Sequence, residues 1–228
     1  MIIGGFHGDE PATVELVREF SPPRGLGVAL LPLLNPDGAL RGTRYNANGV
    51  DLNRNFDYNW SAESIEPSGP EALSEPESRV LYNFIEAWRP AKIVSLHWAL
   101  GELDADGPQS THLAEAMWNA LSEEERIPYR LRVTELGRGQ RRLQQTYVEC
   151  PGSMGQWAGY GVTYPDGTQP AMITLELPYD PALPRIEPLP DDHWAIVQRR
   201  WKEDPAGYLE AVRPGVEKML FAACQLEA

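Results

Sequence analysis

Two apolar runs of strand length organise this chain. MIIGGF (1–6) is followed at once by His7, and AKIVSLH (91–97) closes on His97. Neither run alternates, which is the pattern of a strand buried on both faces of a parallel sheet, and each leads on to residues with helical spacing. After the first, Pro11 starts ATVELVREF, with Asp9 and Glu10 near the positive end of the expected helix. After the second comes THLAEAMWNALSEEE. GVALLPLLN (27–35) is another strand-length run, and YRLRVTEL alternates like a half-exposed strand. AMITLELPY (171–179) alternates strictly, with Ile173, Leu175 and Leu177 on one face and Thr174 and Glu176 on the other. Strands alternating with helices predict an α/β fold, a mixed twisted sheet with helices on both faces, in one domain spanning 1–228.

Between these elements the chain is punctuated. NPDG (35–38) predicts a turn, and residues 35–72, rich in Asn, Asp, Gly and Pro, predict a long irregular loop of the kind that carries function. SEPE (74–77) reads as a capping box, with Ser74 as cap and Glu77 three residues on, opening the amphipathic SRVLYNFIEAW. GELDADG (101–107) has acids at alternate positions and reads as a solvated turn, and 98–148 is a candidate lid or insertion. A Pro-rich stretch at 178–190 leads into one or two helices between 191 and 224.

With 228 residues, 42% of them hydrophobic, the chain can bury a full core. A net charge of -13 without a Lys/Arg run argues against nucleic acid or an anionic membrane as partner. No apolar stretch of about 18 residues is present to span a bilayer. The first residues lack the features of a secretory leader, so a cytoplasmic location is expected. Cys150 and Cys224 are too few for a disulfide framework or a cysteine zinc site and read as ordinary, mostly buried residues.

In α/β sheets ligands collect beyond the carboxyl ends of the strands. His7 and Glu10 stand three apart where a strand turns into a helix, so both can converge on one point, which is metal-ligand spacing. A helix start decorated with acids is the plainer explanation. His97 taken singly would read as a core histidine, but beside two ligands it supplies a third, and catalytic zinc takes three protein ligands of these types while leaving a position for water. RYNANGVDLNRNF (44–56) places Arg44 and Arg54 in a loop full of asparagine, where side chains fix turns and can aim a guanidinium at a carboxylate or oxyanion. Solvated loop charges are the alternative.

Together these stretches resemble the zinc carboxypeptidases of the funnelin, or M14, type. The likeness rests on HxxE at His7 and Glu10, NPDG at 35–38, RxNxxGVDLNRNF at 44–56, the strand-terminal His97 and TLEL at 174–177. Within the family the chain is most similar to the small bacterial murein peptide amidases, through NANGVDLNRNF with Trp60 after it, SEPE, VSLH and PGSMGQW at 151–157. The resemblance implies one Zn2+ ion held by His7, Glu10 and His97. Glu176 would be the general base, taking a proton from the attacking water and passing it to the leaving amine, and Arg44 would stabilise the oxyanion. Asn53 and Arg54 would hold the substrate's terminal carboxylate and make the enzyme an exopeptidase. Tyr147 would cap the substrate, and Met154 would line the specificity pocket without offering a carboxylate to a Lys or Arg side chain. Local explanations stand beside these: a surface acid on a half-exposed strand for Glu176, aromatic packing for Tyr147, helix core for Met154.

The implied partner is a small peptide with a free carboxylate, and the expected bond is the amide between γ-D-glutamate and diaminopimelate in murein peptides. Arg138, Arg141 and Arg142 could attract an anionic substrate, or simply form a solvated face. Asp9 replaces an arginine of the digestive carboxypeptidases, so their outer subsite contact is expected to be absent. Family members carry strands ahead of the one that delivers the first histidine. A bare sheet edge here would invite a second chain and a homodimer. The N-acyl amino acid deacylases of the succinylglutamate desuccinylase and aspartoacylase type share the zinc site and are the competing enzyme class. A non-catalytic binding module on the same scaffold is the competing reading outside enzymes.

Overall fold

β1 (Ile2–Ile3) lies between β2 (Leu30–Leu31) and the long β3 (Lys92–Asp106) and is parallel to both, in a computed structural model that describes residues 1–133, 150–185 and 188–227. β4 (Arg130–Val133) pairs with the second half of β3. β5 (Ala171–Pro178) pairs with β3 twice. From Lys92 to Ala99 the register ascends along β5; from Glu102 to Asp106 it descends, with Glu102 opposite Glu176 and Asp106 opposite Met172. β3 therefore folds back around the end of β5 and flanks it on both sides, which makes the sheet mixed. Gly101 permits the reversal, since it adopts φ +61° and a Cβ there would collide with the Pro128 carbonyl.

Side chains alternate across this sheet, and both faces are covered. Ile2, Val94, Leu96, Ile173 and Leu175 enter one core. It is closed by α1 (Pro11–Glu19) together with the helices at Thr111–Asn119, His193–Glu203 and Pro205–Gln225. Ile3, Ile93 and Met172 enter the other, against Leu81 and Ile85 of the helix Pro76–Trp88 and against Trp157. Each fully buried aliphatic side chain contributes about 1.5–3 kcal/mol, so exchanging the faces of any central strand would be prohibitive. In chain order, α2 (Pro36–Arg41) precedes α3 (Pro76–Trp88), α4 (Thr111–Asn119) and α5 (Glu123–Arg126). α6 (Met154–Gln156), α7 (His193–Glu203) and α8 (Pro205–Gln225) follow.

The structure departs from the sequence reading at several points. NPDG opens a helix rather than a turn, because the Asn35 side chain accepts from the Gly38 N–H at 2.9 Å and Pro36 is preset for the first helical position. The expected capping box at SEPE does not form. Glu75, not Ser74, is the cap residue of α3, and its buried carboxylate accepts instead from Asn46 and Asn48, each at 2.7 Å. In GVALLPLLN only Leu30 and Leu31 are strand. GELDADG is no solvated turn, for its first six residues are the returning half of β3, with Glu102, Asp104 and Asp106 all buried. Arg130, Arg132 and Arg185 ion-pair with Glu102 and make that burial tolerable. The polar face of β5 is likewise buried rather than half-exposed. Of the candidate lid, residues 98–106, 111–119 and 130–133 are sheet and covering helix. The remainder from 134, including Tyr147 and the arginines at 138, 141 and 142, lies outside the described residues.

Candidate active site

Strands β1, β3 and β5 lead polar side chains into one cavity of about 350 Å³. His7 and Glu10 arrive from the turn between β1 and α1, His97 from β3 and Glu176 from β5. Ser95 and His97 alternate with Val94, Leu96 and Trp98, so burying those three in one core turns both polar residues to the opposite face.

One donor atom from each of His7, Glu10 and His97 lies within 4.8 Å of the other two. His7 Nδ1 is 2.6 Å from Glu10 Oε1, and His97 Nδ1 is 3.5 Å from Glu10 Oε2. The remaining ring nitrogens are tied down from behind: His7 Nε2 is 3.2 Å from Asp51 Oδ1 and His97 Nε2 is 3.0 Å from Ser95 Oγ. Such outer partners select the tautomer and aim the inner nitrogen of each ring. All three residues are buried, and Glu10 Oε2 has no hydrogen-bond partner. A buried carboxylate oxygen left in that state is costly, and a cation among these donors would satisfy it. Two imidazoles and one carboxylate suit zinc.

The charges agree. Burial alone would lower His7, but the Glu10 and Asp51 carboxylates outweigh it and hold the imidazole at about 9. Burial lowers His97. Burial would raise Glu10, yet the two imidazoles keep it below its ordinary range. Glu176 is pushed up to about 8, by burial first and then by the Glu10 carboxylate. Its Oε2 accepts from the Leu100 N–H at 3.4 Å.

Arg44 reaches in from the loop. Its Nε donates to Asp51 Oδ2 at 2.9 Å, while one terminal nitrogen stands 3.4 Å from His7 Nδ1 and 4.0 Å from Glu10 Oε1. Asp51, fully buried, thus orients both a candidate ligand and a candidate oxyanion donor. It also caps the turn Leu52–Arg54 by accepting from the Asn53 N–H at 2.8 Å. Asn53 and Arg54 line the cavity, and Asn53 Oδ1 accepts from the Met154 N–H at 2.9 Å. The loop is fastened by Phe56, stacked on Trp157 at 5.0 Å, which Tyr82 of α3 covers in turn at 4.7 Å.

The structure therefore gathers His7, Glu10, His97, Glu176, Arg44, Asn53 and Arg54 around one space. Met154 is not among the lining residues. It is 1% exposed, in the core with Phe6 and Phe56, and its neighbours Ser153, Gly155 and Gln156 face the cavity instead. Cys150, half-buried, also reaches the wall. Sequence reasoning missed Asp51, Ser95 and the cavity-lining pair Thr174 and Asp106. Ser95 could have been found as the residue two before His97 on the same strand face; Asp51 had no local signal beyond its place in the GVDLN stretch.

An α/β sheet that presents a His, Glu, His set at its strand ends, with a carboxylic acid and guanidinium groups around the same cavity, offers the kinds of side chain that a zinc hydrolase uses. The zinc carboxypeptidase family profile matches residues 24–194, and the chain belongs to that family. The match begins beyond His7 and Glu10, which the fold returns to His97. Murein peptide amidase A of Escherichia coli K12 is 34% identical over 176 residues, covering 69% of this chain and 64% of that protein. The chain thus matches somewhat under two thirds of that relative's length. Murein peptide amidase A of Vibrio campbellii is 30% identical over 217 residues, 87% of this chain and 77% of that one. The crystal structure of a murein-tripeptide amidase from Escherichia coli O157 superposes with a TM-score of 0.55 at 26% identity, covering 95% of this chain and 80% of that one. Among the described residues no helix is long and apolar enough to cross a membrane.

Proposed function

We propose that this protein is a zinc-dependent carboxypeptidase or amidase that hydrolyses the amide before a C-terminal residue of a small peptide, with the γ-D-glutamyl–diaminopimelate bond of murein peptides as its target. The observation that supports it most is the placement of Glu176 and Arg44 around the His7, Glu10 and His97 donors, with Asn53 and Arg54 on the same cavity wall. One zinc ion held by those three donors would supply Lewis acidity toward water and the scissile carbonyl. Glu176 takes a proton from the attacking water and delivers it to the departing amine. Arg44, held by Asp51, faces the oxygen on which negative charge develops. Arg54 and Asn53 hold the terminal carboxylate and so set the bond that is cut. Among the described residues β2 is the end strand of the sheet, and its outer edge is the surface on which a second copy would pair; a monomeric mass by light scattering overturns that arrangement.

The test compares hydrolysis of the murein tripeptide with that of N-acetylaspartate and succinylglutamate by zinc-loaded protein. Release of diaminopimelate from the tripeptide is expected. Activity confined to the acyl amino acids would assign the chain to the deacylases, and activity on neither would leave a binding module.

A further inference from the structure

The proposed reaction uses two members of a longer row. Across the first half of β3, β5, the returning half of β3 and β4, His97 is the register partner of Glu176, Glu176 of Glu102, and Glu102 of Arg130. Register partners share one face of a sheet with β-carbons about 5 Å apart, so a candidate ligand, the proposed base, a second acid and a guanidinium stand side by side. Glu102 is buried and is not among the residues that line the cavity. Its Oε1 accepts from Arg130 and from Arg185 Nη2 at 2.5 Å, and its Oε2 accepts from Arg132 Nη1 at 3.0 Å. Three cations on one carboxylate are more than its burial requires.

The order of the row matters. Neighbouring strands lie about 4.8 Å apart, so Arg130 stands two strands from Glu176, a gap that a long guanidinium stem can span. A buried guanidinium without a carboxylate is costly, and with Glu102 neutralised the next carboxyl along the row is Glu176. The hydrogen bond from the Leu100 N–H to Glu176 Oε2 is long, at 3.4 Å, and Leu100 precedes Glu102 by two residues across the Gly101 reversal. The clamp on Glu102 therefore fixes the segment that holds the base as well as occupying the cations that could draw it away.

Resting on the assignment of Glu176 as the base, we infer that Glu102 is a positioning residue: by engaging Arg130, Arg132 and Arg185 it keeps their guanidinium groups off Glu176 and leaves the base turned toward the His7, Glu10 and His97 donors. No proton moves to or from Glu102 in this role. As part of a solvated turn it would have had none; the folding back of β3 gives it one.

The test measures steady-state hydrolysis of the murein tripeptide by zinc-loaded variants. Glu102→Gln keeps the side chain's shape and removes the charge that holds the arginines, so kcat should fall about 10- to 100-fold with KM and zinc content near those of the wild type. In a Glu176→Gln background the same change should cost nothing further, since no base remains to be misplaced. Adding Arg130→Gln to Glu102→Gln should restore part of kcat, which a merely structural role would not allow. Arg132→Lys retains every charge, loosens the clamp more gently and should give the same pattern in smaller measure, so it carries the test if Glu102→Gln does not fold. An unchanged kcat, or an equal further loss in the Glu176→Gln background, overturns the inference. The amide resonance of Leu100, which reports the Glu176 carboxyl, needs no turnover: it should move in Glu102→Gln and return when Arg130→Gln is added. Should the wild type cleave no peptide, the peptidase reading fails and that resonance decides, its return sustaining the inference and its failure to move or to return overturning it.

Discussion

His97 of β3 and Glu176 of β5 are register partners on adjacent strands. The proposed ligand and the proposed base are therefore fixed against each other by the sheet's own hydrogen bonds, not by a loop, and the separation between them is set before any substrate binds. Replacing one of the two need not disturb the other.

Glu176→Gln should accordingly lower kcat by about 10²- to 10⁴-fold while leaving zinc content unchanged, because the substitution removes the proton acceptor and keeps the side chain's shape. Steady-state kinetics with metal analysis of the same preparation checks this. Retention of full activity removes Glu176 from the mechanism.

Metal binding should release protons. In the metal-free protein His7 is raised to about 9, so at pH 7 the imidazole is protonated and Nδ1 is blocked. A metal requires it neutral, so about one proton should leave His7 per zinc bound at pH 7, falling toward none as the pH passes 9. Glu176, raised to about 8, is also largely protonated at pH 7 and adds to the release if it ionises beside the metal. Calorimetry in buffers of different ionisation enthalpy measures the number. Zinc enthalpies independent of buffer at pH 7 would contradict this account.

Asp51 supports two site residues at once. Asp51→Asn should weaken zinc binding by about 10- to 100-fold, since it replaces the charged acceptor that aims His7 with a weaker, neutral one. It should also reduce kcat in fully zinc-loaded protein, since Arg44 loses its ion pair. Chelator competition reads the first effect and turnover at saturating zinc the second.

Arg54→Lys should raise KM by about tenfold, with a smaller change in kcat, because a lysine cannot offer the forked pair of donors that a carboxylate accepts. Peptides with an amidated C-terminus should be poor substrates for the wild type and should show little further loss in the variant. Comparable cleavage of free and amidated peptides by the wild type would show that the terminal carboxylate is not read.

Gly152→Ala tests the scaffold. Gly152 holds φ +73°, and a Cβ there would collide with the Arg54 carbonyl. Gly152 also exchanges backbone hydrogen bonds with the loop, its carbonyl accepting from the Phe56 N–H and its N–H donating to Tyr58. The variant should lose about 1–3 kcal/mol of stability and bind substrate more weakly, as thermal unfolding and KM would show.

Residues 7, 10, 97, 44 and 54 were legible as candidates because each sits in a local pattern with a chemical reason: a strand end, an i,i+3 pair, an asparagine-rich loop; Glu176 was legible only through the family resemblance, since its strand alone reads as carrying a surface acid. Periodicity likewise located the central strands and the helices α1, α3, α4 and α8, since burial of one face imprints itself on neighbouring positions. The errors share a cause as well. SEPE and GELDADG were read by local propensity, and in both a partner distant in sequence took over: Asn46 and Asn48 for Glu75, and Arg130, Arg132 and Arg185 for Glu102; NPDG differs, for there Asn35 caps a helix start through Gly38, three residues on.

By itself the sequence determined where the central strands and the longer helices form and which ionisable side chains lie at their ends, for hydrophobic periodicity and turn chemistry act between near neighbours. Only the tertiary structure decided that β3 turns back around β5, that Asp51 stands behind both His7 and Arg44, and that Asp106 rather than Met154 reaches the cavity. Those outcomes depend on strand register and on contacts joined across long stretches of chain, such as His7 with Asp51, and no window of local sequence contains both members of such a contact.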